Sequence, residues 1–171
     1  MKSDGARSDR PPPIQPVGFF TGVQVRPVVL GVIVDYIATY AAIQAYLFLF
    51  VMRQMPADGE APPDAIPLSV SANETLLIAF IIGSLGTVLG GFVAGRKAGA
   101  FEAKHGAFVG LGSLIVSFIE LLMQDGPPSG PEWFRMISVL AIIPAGALGG
   151  YLAERLKVMT ARQSGQAGRF P

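Results

Sequence analysis

The sequence predicts an all-α fold: an integral membrane bundle of four helices, arranged as two helical hairpins. Three observations predict it. Four long apolar runs are separated by short polar segments. Basic residues crowd alternate polar segments. An octapeptide of mostly small residues occurs twice, "LGGFVAGR" at Leu89–Arg96 and "LGGYLAER" at Leu148–Arg155. The 171 residues suffice for one compact unit, and only 15% are charged while 51% are apolar. A soluble domain carries about 25% charged residues.

The first run, Val28–Val51, holds one charge, Asp35. The second, Thr75–Gly95, holds none; the third, Gly106–Met123, holds Glu120; the fourth, Phe134–Ala153, holds Arg135 at its start. A helix needs about 20 mostly apolar residues to cross a bilayer. Spans are therefore expected at about 28–51, 75–95, 106–123 and 134–153 of a transmembrane domain covering 27–157. As soluble helices, four such runs would leave too little polar chain to cover them. The first run exceeds the roughly 7–15 apolar residues of a signal peptide and carries an aspartate, so it is expected to persist as a helix.

Direction follows from the basic residues. Lys2, Arg7, Arg10 and Arg26 precede the first run, and Arg96, Lys97 and Lys104 join the second to the third. Arg155, Lys157, Arg162 and Arg169 follow the fourth. The other two connections are poor in basic residues, the first holding Asp58, Glu60, Asp64 and Glu74 against Arg53. The positive-inside rule then places both termini in the cytoplasm of a multi-pass membrane protein. "PPPIQP" marks residues 1–26 as a largely disordered start. Residues 158–171, with no apolar stripe, read as a disordered tail. Ser71 or Asn73 is expected to cap the second helix, and Trp133 falls where an interfacial indole belongs.

The repeat has a packing meaning. Gly86, Gly90 and Ala94 recur at spacing four, as do Ala145, Gly149 and Ala153. Neighbouring stripes run through Gly91 and Gly95 and through Gly146 and Gly150. Glycine costs a helix about 1 kcal/mol relative to alanine in water. Lipid gives helices no hydrophobic drive to associate, and small residues permit the close approach that does the work instead. The third run carries a related seam, Gly106, Gly110, Ser113, Ser117, Glu120 and Gln124. The first contributes Gly31, Asp35, Ala38 or Thr39, and Ala42. Spans two and four run in one direction and end in the same element, which suggests an ancient duplication. Exposed parts of the stripes are expected to hold a second copy or another membrane protein. Pro144, in the fourth run, removes a backbone bond and is expected to kink the helix.

Asp35 and Glu120 are the candidate intramembrane functional residues. Asp35 lies eight residues past Pro27, about 12 Å along a helix and so inside the bilayer. Either it titrates, with Tyr36, Thr39 and Tyr40 around it, or it accepts a hydrogen bond from Thr87 or Ser84 and fixes the helix register. No second acid lies at its depth, which favours the structural role. Glu120 is close enough to its span end to reach the headgroups. His105 at the mouth of the third helix reads as a solvated or capping residue, and Arg96 and Arg155 as cytoplasmic anchors. No catalytic constellation appears. Without cysteine and with one histidine, thiolate and multi-histidine metal sites within a chain are excluded. Basic segments without interleaved aromatics give no support for nucleic-acid binding. No cofactor or enzymatic activity is expected.

"GGFVAGRKAG" followed by "KHGAFVGLGSL" resembles an uncharacterised group of small bacterial four-span membrane proteins. The matching positions are Gly90, Gly91, Phe92, Ala94, Gly95 and Arg96, then His105 and Gly106. The resemblance covers spans two and three and implies a bacterial inner membrane. The expected function is a structural or accessory protein of the bilayer, self-associating or bound to another membrane protein. The alternative is a small proton-coupled transporter or channel using Asp35.

Overall fold

The structure is a computed structural model describing residues 18, 20–54, 73–126 and 130–167, without the side chains of 51–54 and 163–167. It contains four helices: α1 (Val25–Gln54), α2 (Asn73–Ala98), α3 (Glu102–Met123) and α4 (Glu132–Ala167). There is no strand among the described residues. All four helices are long and apolar enough to cross a membrane. The polyproline stretch, the connection holding Ser71, and the last four residues lie outside the described residues; Asn73 is the first helical residue of α2 rather than its cap.

Local chemistry explains the boundaries. Pro27 sits in the first turn of α1, where its missing N–H costs no helical bond. Glu74 opens α2, and Arg96 and Lys97 close it, each sign matched to the helix dipole. Gly99 then takes a left-handed φ of 69°, and its amide donates to the Gly95 carbonyl, ending the helix. Phe101 also adopts a left-handed φ, 51°, and starts α3.

One expectation needs correction. The fourth helix does not give way to a disordered tail at residue 158: it continues to Ala167. The extension "KVMTARQSGQA" is rich in good helix formers and lacks proline, so a helix already nucleated propagates through it without needing an apolar stripe. Most of segment 1–26 lies outside the described residues; within it a turn at Phe20–Gly22 docks on α3.

The bundle is a rhombus. α2 and α3 each pack against all three other helices, while α1 and α4 do not touch among the described residues. Both hairpins form, α1 on α2 and α3 on α4, and α2 also packs on α4. One end gathers Arg26, Arg96, Lys97, Lys104, Arg155 and Lys157 and is called the basic end; the other holds Asn73, Gln124 and Trp133.

Burial is inverted relative to a soluble protein. Among the described residues, the buried hydrophobic ones are Leu76, Ala94, Val109 and Ala153, whereas Asp35, Thr87, Glu102, His105 and Ser113 are buried polar ones. Large side chains face outwards, with Leu140 73% and Leu122 71% exposed. An apolar exterior around a small, polar interior suits lipid as solvent and would aggregate in water.

Every glycine assigned to packing is buried: Gly86, Gly90, Gly91, Gly95, Gly106, Gly110, Gly146, Gly149 and Gly150. Their partners are other parts of this chain. A Cβ on Gly91 would strike the Gly146 backbone, and one on Gly149 the Val88 and Phe92 backbone, so the two octapeptides pack α2 on α4. Gly90 meets Gly31 and Asp35 of α1, and Gly106 meets Gly146 and Gly150. The glycine parts of the stripes are thus filled from within, while Ala42, Ser117, Glu120 and Gln124 stay exposed.

Candidate functional site

The glycine contacts lie in the basic half of the bundle, and the helices part in the other half. There they line a half-open cavity of about 320 Å³ to which all four helices contribute. Its floor is the only aspartate of α1. Asp35 is 6% exposed and accepts three hydroxyl hydrogen bonds. Thr39 Oγ1 donates to Oδ1 at 3.2 Å; Thr87 Oγ1 and Ser113 Oγ donate to Oδ2 at 3.1 and 2.5 Å. The donors come from α1, α2 and α3, so the carboxylate ties three helices together at the level where close packing ends. The position is set by the backbone. Gly90 and Gly86 let α2 approach α1 so closely that an added Cβ would meet Asp35 itself.

The bond from Thr87 is one the sequence points to. Ser113 as a second donor is not, although the α3 seam that contains it is legible. That seam changes role along its length. Gly106 and Gly110 pack on α4, Ser113 holds Asp35, and Ser117 and Glu120 line the cavity. Glu120 is exposed and stands seven residues from Ser113, about 10 Å along the helix. The two candidate acids therefore share one cavity at different depths. Tyr36, Tyr40, Phe80 and Phe134 supply aromatic wall.

At the basic end a second polar cluster seals the bundle. His105 is fully buried, which corrects its reading as a solvated or capping residue. Its Nε2 accepts the Gln24 amide at 2.9 Å, and its Nδ1 stands 3.0 Å from the Phe101 carbonyl. These partners assign the Nδ1–H tautomer of the neutral ring. Phe20 stacks on Phe108 at 5.6 Å, and Lys104 Nζ donates to the Thr21 carbonyl, completing the dock of the turn before α1. Glu102, 5% exposed, pairs with Lys157 at 2.8 Å, and Lys157 also donates to the Gly99 carbonyl. Sequence alone gives no signal for this pair, since its members are 55 residues apart.

Arg96 and Arg155 are both exposed at this end and share a device. Each lies four residues after an aromatic, with its guanidinium 5.6 Å from the Phe92 ring centroid and 5.1 Å from that of Tyr151. The repeated octapeptide thus repeats a cation–π pair as well as a packing surface. No group of three metal-ligating side chains occurs among the described residues.

Apolar helices outside, glycine seams and a hydrogen-bonded carboxylate inside define a multi-pass membrane protein. The chain belongs to the family described as "protein of unknown function (DUF3792)", whose model matches residues 66–153. The match takes in both octapeptides' glycines, Thr87 and Ser113, and stops short of α1 and Asp35. No curated protein and no solved structure matches the chain.

Proposed function

We propose that this is a small structural or accessory protein of a bacterial cytoplasmic membrane, with both termini in the cytoplasm and no reaction of its own. The basic residues collected at one end support that orientation. Arg96 and Arg155 anchor this end at the inner leaflet, and the resemblance of "GGFVAGRKAG…KHGAFVG" supports the bacterial setting. Its partners are the bilayer and a second membrane protein or copy, met through the apolar exterior.

One observation carries the reading: the chain's own groups satisfy its buried acids and seal the route past them. Asp35 has three hydroxyl donors, and Glu102 has Lys157. A proton-coupled transporter or channel needs a path from Asp35 to the basic end. There Gly31 meets Gly90, Gly91 meets Gly146, and Gly106 meets Gly150, backbone against backbone. The test is proton flux in proteoliposomes. Wild-type protein is expected to leave the leak of empty vesicles unchanged, and Asp35→Asn, which replaces one accepting oxygen by a donor, to lower the yield of folded protein without changing that leak. A proton flux that disappears in Asp35→Asn would sink the accessory reading.

A further inference from the structure

The cavity has a chemistry of its own. Its lining includes two carboxylates, Asp35 on the floor and Glu120 further along α3. Among the described residues no lysine, arginine or histidine lines it; Arg135 follows the lining residue Phe134 but is not in the wall. Three hydroxyls, from Thr39, Thr87 and Ser113, lie within hydrogen-bond reach of the two Asp35 oxygens. They supply dipoles but no counter-charge. A carboxyl group facing a cavity with no cation of the chain in its wall leaves room there for a cation from outside.

The remaining wall selects among cations. Tyr36 and Tyr40 on one side and Phe80 and Phe134 on others border a space of about 320 Å³. A small inorganic ion would lose its hydration against such walls and fill little of the volume. An ammonium carrying an apolar body gains from the carboxylate, from ring faces and from apolar burial together.

We propose that the cavity is a binding site for a small organic ammonium ion, with its nitrogen toward Asp35 and its apolar body among the aromatic rings. This goes beyond the accessory role: the cavity is a receptor for the ion rather than a route for it. A free cation in solution and the headgroup of an aminophospholipid both present this ammonium, and the chemistry of recognition is the same.

The experiment uses the full chain in phosphatidylglycerol nanodiscs, with radiolabelled benzyltrimethylammonium as probe. Saturable binding of one probe per chain is expected. Asp35→Asn should weaken it about tenfold or more, the scale of a lost charge-assisted contact. Ser138→Phe fills the cavity from α4 without touching Asp35 and should abolish binding while elution and helicity stay wild-type. It carries the test if Asp35→Asn fails to fold. Adding phosphatidylethanolamine separates the two sources: a fall in probe occupancy assigns the site to the lipid ammonium, and no change assigns it to a free cation. Absence of saturable binding overturns the proposal. So does binding unchanged in Ser138→Phe, or displacement of the probe by sodium or benzyl alcohol at equal concentration.

Discussion

Asp35 shows what makes an acid tolerable inside a membrane bundle. Thr39, Thr87 and Ser113 each aim a hydroxyl at it, and the three do not carry equal weight. The Thr87 hydroxyl has one proton and two acceptors at 3.1 Å, Asp35 Oδ2 and the Gly83 carbonyl. Ser113 is buried and directs its proton at Asp35 alone among the bonds described. Ser113→Ala is therefore expected to cost about 1–2 kcal/mol, and Thr87→Val less. Reversible unfolding in mixed micelles measures both, and the opposite ranking would refute the assignment. His105 makes a parallel case. His105→Phe keeps the bulk of the ring but removes the acceptor of the Gln24 amide. Hydrogen exchange at Gln24 is expected to accelerate while exchange in the middle of α2 stays unchanged.

Helices in this protein meet through the absence of side chains, and the glycines differ sharply in what they permit. A Cβ on Gly106 would come within 2.8 Å of the Gly150 amide, and one on Gly146 equally close to that of Gly110. Gly83, on the same helix as Gly86 and Gly90, has open space around it: a Cβ there would meet nothing within 4 Å. Gly106→Ala and Gly146→Ala are each expected to destabilise by about 1–3 kcal/mol, since backbone cannot rotate away as a side chain can. Gly83→Ala is expected to be neutral or to stabilise by up to about 1 kcal/mol through helix propensity. Equal losses at all three positions in the same unfolding assay would mean that intrinsic flexibility, not close approach, explains the glycines.

Among the described residues the exterior is apolar and most of the basic residues lie at one end, which supports the proposed orientation. The chain lacks cysteine, which allows single reporters. Arg162→Cys at the basic end and Gln124→Cys at the other, both exposed positions, are expected to label in opposite ways. A membrane-impermeant maleimide should modify the Gln124 reporter in intact cells and the Arg162 reporter only after the membrane is breached. The reverse pattern would overturn the orientation. The same asymmetry places the cavity: the tight half adjoins the basic end, so the cavity lies in the half away from the cytoplasm in the proposed orientation.

Span number, hairpin order and the identity of the packing glycines were determined by the sequence itself. Each depends on local properties, namely run length, spacing of four and the sign of flanking charge, which need no knowledge of a neighbour. The helix of residues 158–167 escapes such a reading because propagation from a nucleated helix does not show in the apolar pattern. Tertiary structure alone decided that His105 is buried, that Ser113 joins Thr87 on Asp35, and that Glu102 pairs with Lys157. It alone decided that Glu120 and Asp35 share a cavity. These facts depend on how far each helix is rotated against the next and where the pairs begin to part. Both are set by contacts between residues dozens of positions apart, which no local pattern records.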